Sequence, residues 1–310
     1  MSIQDKSVTR RDFLRKSSIG LAAVGGITIG CNSRQDSYNV TDKTSQSNNV
    51  NPSSWWHKDE FVIHKTVDAK SIDKGTIRAF IDGSWREFKI IELPEEFITW
   101  SLETRVARLG RMIRFGGLDP RDLAGSHNAC VATYGGPSRD SSVSLNTAYK
   151  GMGFTVHANR VREMTQKINE ERNRIERNTM SNHSRLIHDK VRFLADFYRD
   201  QSIFDRTKQV SLELFTSPEF HTHTFLNMMA NPITSASFLA FPTFEIRAIP
   251  QLLHPRNPWL SEYEKDLIAY TNEIHDFIHS GPGERITCVY HVIELFDDTP
   301  NDMSKGKRVA

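Results

Sequence analysis

Folding in this chain has to begin after residue 54. The 23 residues from Asn32 to Ser54 contain no Leu, Ile, Phe or Met, but six Ser and five Asn. A stretch with so little to bury cannot offset the entropy lost on ordering, so 31–54 reads as a flexible linker. Residues 55–310 carry no visible repeat or internal boundary and are numerous enough to bury a sizeable core. A single globular domain is expected there. With 38% hydrophobic and 25% charged residues, the chain is neither disordered throughout nor a multi-span membrane protein.

The segment before the linker reads as an address. Thr9-Arg10-Arg11-Asp12-Phe13-Leu14 precedes a Gly- and Ala-rich apolar run from Ser17 to Gly30 with no acidic residue. This resembles a twin-arginine export signal over residues 1–30, and is too short and too Gly-rich for a stable spanning helix. Thr28-Ile29-Gly30-Cys31 resembles a lipoprotein processing box, with Cys31 as the lipidation site; Thr28 stands where that box prefers Leu, Val or Ile. Ordinary cleavage beside Cys31 is the alternative. The resemblance implies the twin-arginine translocase as a partner and a place outside the cytoplasmic membrane, in the periplasm or on an outer membrane face. A lipid anchor would attach the protein to that membrane. Five Lys/Arg against two Asp in residues 1–30 leave the body close to neutral within a total of +2, which gives no electrostatic case for nucleic acid. Beyond the linker stand only Cys130 and Cys288, which could pair in an oxidising compartment or remain buried thiols.

Local patterns predict a short strand over 61–67 and a hairpin, 76–81 with 85–91, turning at Asp82-Gly83. Pro94, Glu95 and Glu96 open a helix reaching about 112, with Gly116-Gly117 as its stop. Further helices are expected at 159–177, 184–199, 205–215 and 259–279, the last ended by Gly281-Pro282. Val161, Met164, Ile168 and Ile175 form a narrow apolar row on the first of these. Between 216 and 258 the prolines suggest loops, and 286–296 reads as a strand. The expected fold is α+β: a mainly helical body with a small antiparallel sheet made by the N-terminal hairpin and the C-terminal strand.

Common catalytic fingerprints are absent: no dinucleotide or phosphate loop, no Cys-x-x-Cys, no nucleophile elbow, no His-Glu-x-x-His. Histidine stands out instead, with twelve in all and none in the leader. His275 and His279 are one helical turn apart, the spacing two imidazoles need to share a metal. Asp276 could ligate or orient an imidazole, and Glu273 is a candidate proton-transfer group. His221-Thr222-His223, in extended backbone, would place two more imidazoles on one side.

Residues 76–132 contain a hairpin, Pro94, a helix, Arg114-Phe115-Gly116-Gly117 and then Ser126-His127-Asn128. That order resembles the front of HD-domain metalloproteins, and the resemblance implies a metal-binding His127 on the next helix. The family's His-Asp dyad departs from its expected place: His157 is followed by Ala158, and His188-Asp189 lies 61 residues beyond His127.

These residues lead to an expected function: an exported, histidine-ligated metalloenzyme acting on a small-molecule substrate. Oxidoreductase or oxygenase chemistry at iron or copper ranks first, since imidazole donors suit copper, iron or zinc more than magnesium or calcium. Metal ligands are expected among His275, His279, His221, His223 and His127, with Glu273 and Asp276 as catalytic residues. An HD-like phosphohydrolase, for which zinc or manganese would serve, and a non-enzymatic envelope-binding lipoprotein are the alternatives.

Overall fold

The computed structural model describes residues 52–115, 124–137, 140–179, 183–279, 283–300 and 306–310. The leader, Cys31, nearly all of the linker, Gly116-Gly117 and Gly281-Pro282 lie outside them. Two short N-terminal strands, β1 (Trp56–His57) and β2 (Phe61–Val62), pair with each other. Three more, β3 (Val67–Asp68), β4 (Thr76–Ile81) and β5 (Ser84–Lys89), form a separate antiparallel sheet. The β4–β5 turn works because both of its residues have positive φ, 51° at Asp82 and 80° at Gly83. Asn231 Oδ1 accepts the Asp82 N–H at 3.0 Å and fixes the turn on the body. Ile77, Ala79 and Ile81 alternate inward and close a small core with Ile249 and Ile293.

The main feature is a large antiparallel sheet. Its strands are β6 (Asn128–Thr133), β7 (Asn146–Gly151), β8 (Gly153–Val156), β9 (Phe204–Glu213), β10 (Thr234–Ser237), β11 (Phe244–Leu253), β12 (Ile286–Asp297) and β13 (Lys307–Arg308). The order is β7-β6-β10-β11-β12-β9-β8, with β13 added to the end of β12. β7 and β8 stand at opposite ends of that path, yet only Met152 separates them in sequence. The sheet must therefore curl until its ends meet, giving a half-barrel. Met152 is fully buried at this seam and donates its N–H to His127 O at 2.7 Å.

Among the described residues, five α-helices complete the body: α1 (Glu95–Phe115), α2 (Val161–Thr179), α3 (His183–Arg199), α4 (His223–Ala230) and α5 (Glu262–His279). Phe97 of α1 packs edge-on against Phe244 at 5.3 Å, and Trp100 meets the same ring at 5.0 Å. The α2 row Val161, Met164, Ile168 and Ile175 is buried, as its spacing requires. Phe193 of α3 and Phe277 of α5 meet at 5.1 Å.

The expected mainly helical body with a small sheet is thus incorrect. The N-terminal hairpin and the C-terminal strand do not share a sheet: the hairpin belongs to the small one, and β12 lies inside the eight-stranded one. The expected helix at 205–215 is β9. Lys208 to Ser211 are buried in succession there, so the strand lacks the alternation that reveals a half-exposed one. The stretch read as loops holds α4, β10 and β11. Pro250, which argues against a central strand, sits in β11 beyond the end of β10, whose last partner is Ala248. The residue after His127 opens β6 rather than a helix, contrary to the HD-like expectation.

Candidate functional site

The last two turns of α5 carry the most developed chemistry. Leu267, Tyr270 and Phe277 anchor the helix in the core, and the four-residue spacing brings His275 and His279 together on another side. Their ring centroids are 4.8 Å apart and their planes differ by 37°. Asp276 Oδ1 accepts from Arg285 Nη1 at 2.7 Å and faces His275 Nδ1 at 3.2 Å. An ionised carboxylate only accepts, so Nδ1 of His275 carries the proton and its Nε2 keeps a lone pair. The His275 side chain is 23% exposed, so solvent reaches it. Burial lowers its pKa, the Asp276 hydrogen bond opposes that shift, and the Arg285 charge adds to it. His279 is pushed down to about 4 by burial, then by His275, Arg285 and Arg108. Both rings are neutral near pH 7, the state a metal ligand needs.

His127 adjoins this pair electrostatically. Its pKa is held well below the usual range by burial, then by Arg105, Arg108 and His279. Its protonation pattern is nevertheless the reverse of that at His275. Arg105 Nη1 donates to His127 Nδ1 at 3.1 Å, and a guanidinium has no acceptor. The proton of His127 therefore sits on Nε2, and the ring presents a donor rather than a lone pair. Arg105, 2% exposed, also donates from Nη2 to Ser126 O and Met152 O, both at 2.7 Å. The same side chain thus fixes the His127 ring and fastens the sheet seam. Phe154 and Tyr198 present their rings to its guanidinium at 5.2 and 5.7 Å.

The other candidates lie apart. Thr222 is extended (φ −72°, ψ 152°) and caps α4, its hydroxyl accepting the Phe225 N–H at 3.1 Å. The backbone there is extended as expected, but the two imidazoles have separate partners. His221 is buried and stacked on Phe225 at 5.5 Å, and its Nε2 accepts the Trp56 indole N–H at 2.8 Å. That lone pair is already used. His223 is half-buried and pairs with Asp140 at 2.6 Å. Glu273 faces α2, where Arg172 Nε approaches to 3.1 Å and Asn169 Nδ2 donates at 3.3 Å. Those partners give it a structural role. Cys130 and Cys288 are separate free thiols. Among the described residues, no group of three or more His, Cys, Asp or Glu side chains converges as a metal site. No described helix is long and apolar enough to cross a membrane.

Sequence reasoning passed over Arg105, Arg108 and Arg285. Arg105 had a readable signal: it lies four residues after Ser101 and four before Leu109, on the buried stripe of α1. The chain matches no protein-family model and no curated protein.

Proposed function

We propose that the protein is an exported transition-metal enzyme, tethered through Cys31, with His275 and His279 as its protein ligands. The observation that carries this reading is the neutral imidazole pair at 4.8 Å with Asp276 fixing the His275 tautomer. This is the carboxylate–histidine arrangement that orients metal-binding rings elsewhere. Two protein nitrogens leave coordination positions for a substrate or a further ligand. Imidazole donors suit iron, copper or zinc. Asp276 is committed to Arg285 and Glu273 to Arg172, so neither stands ready as a base for water activation. That favours redox chemistry at iron or copper over hydrolysis. His127 supplies a fixed N–H donor beside the pair.

A second reading, metal-dependent phosphoester hydrolysis, draws support from Arg108 and Arg285 beside His279, since guanidinium groups suit phosphoryl oxygens. The test is metal retention by the folded protein. His275→Ala and His279→Ala should each abolish it, and Asp276→Asn should weaken affinity roughly ten- to a hundredfold. Unchanged stoichiometry in both alanine variants would remove this pair as the site. Turnover of a phosphate ester without an electron acceptor would put the hydrolase first.

A further inference from the structure

β9 and β12 carry a row of polar side chains at a depth where a sheet is normally apolar. Their register sets Gln209 beside Tyr290, Ser211 beside Cys288 and Glu213 beside Ile286, so all of these share one face. α4 lies over that face, with Met228 Sδ 3.9 Å from Cys288 Sγ. Gln209 and Tyr290 are fully buried, and Glu213 is 5% exposed. From β7, across the seam, Lys150 Nζ donates to Glu213 Oε2 at 2.8 Å. The Lys150 side chain, 15% exposed, is where the row meets solvent.

The hydrogen-bonding capacity of this row is not used up among the described residues. Both amide atoms of Gln209, the Tyr290 hydroxyl and Glu213 Oε1 are buried and make no hydrogen bond there. The Cys288 thiol stands beside the Tyr290 hydroxyl, but a thiol bonds weakly. Left alone, each group would carry its full desolvation cost, and native interiors satisfy such groups with ordered water or a ligand. Gln209 offers a donor and an acceptor, Tyr290 a donor, and Glu213 Oε1 an acceptor. The Lys150 ammonium balances the Glu213 carboxylate, so the complement of the row is uncharged. Gln209 and Glu213 are four residues apart, about 13 Å along the strand, which is too far for one water to serve both. We propose that this face encloses a small uncharged molecule bearing hydroxyl or amide groups, held by Gln209, Tyr290 and Glu213. A short polyol or amide supplies that chemistry, and so does a row of ordered waters.

The test is a crystal structure of the full-length protein, with native mass spectrometry of the same preparation. Ordered density within hydrogen-bond reach of Gln209, Tyr290 and Glu213 is expected. A mass above that of the chain, lost on unfolding, would make the occupant an organic solute; density with the bare chain mass would make it water. Either supports the proposal. Tyr290→Phe and Gln209→Met keep the shape of each side chain and remove its bond to the occupant. Each should lower the melting temperature by about 2–4 °C. Groups without a partner would instead leave it unchanged or raise it when removed. That result in both variants, or no density along the row, would overturn the proposal. None of these residues lies on α5, so failure here leaves the metal reading as it stands.

Discussion

His127 carries its ring proton on Nε2, whereas His275 and His221 carry theirs on Nδ1, and a neighbour decides each case. Asp276 accepts from His275 and frees Nε2; Arg105 and Trp56 donate to the other two and occupy a lone pair. Sequence spacing cannot reveal this, because each deciding partner is a tertiary contact or a rotamer choice. A fourth histidine shows what full structural use looks like. His64 Nδ1 accepts the Leu252 N–H at 3.0 Å and its Nε2 donates to Met228 O at 2.9 Å. Burial lowers its pKa to about 4. The folded state therefore resists a proton that the unfolded chain binds below about pH 6.5. Its stability contribution is complete above that pH and is lost as pH falls towards 4. His64 alone should cost about 2 kcal/mol at pH 5 relative to pH 7. His291, pushed down to about 3 by burial, acts in the same direction. Urea unfolding at the two pH values should show a smaller loss in His64→Gln, which can replace both bonds without titrating. An equal loss would contradict this role for His64.

Among the elements, those with strong local signals were legible. The Asp82-Gly83 turn, the acidic start of α1, the α2 row and the β-branched run of β12 all arise from neighbouring residues. β9 and β11 were not, because burial on both sides erases their alternation and Pro250 disguises β11. The seam was illegible for another reason: it depends on Arg105, 47 residues from Met152. Arg105→Met should leave the Ser126 and Met152 carbonyls without their donor and release the His127 ring. A loss of about 2–4 kcal/mol is expected in chemical unfolding, from the desolvation cost of the stranded acceptors. Hydrogen exchange should rise first at β7 and β8. Wild-type stability in this variant would show that the seam closes without the guanidinium.

At the scale of the whole molecule, the half-barrel brings together groups that are far apart in sequence. Arg105 from α1, His127 at the start of β6, the α5 pair and Arg285 before β12 meet around one end of the seam. The site was half legible: the α5 spacing pointed to His275, His279 and Asp276, but their guanidinium surroundings and the separation of His221 from His223 emerge only in the fold. The proposed export through a twin-arginine signal in residues 1–30 would suit a protein folded around a cofactor beforehand. The most direct test is elemental analysis, with an absorption spectrum, of folded protein from a host able to load it. One equivalent of iron or copper, absent from His275→Ala and His279→Ala, is the predicted result. A folded protein that holds no metal and takes none up on reconstitution would contradict the metalloenzyme and leave an envelope-binding lipoprotein as the better reading.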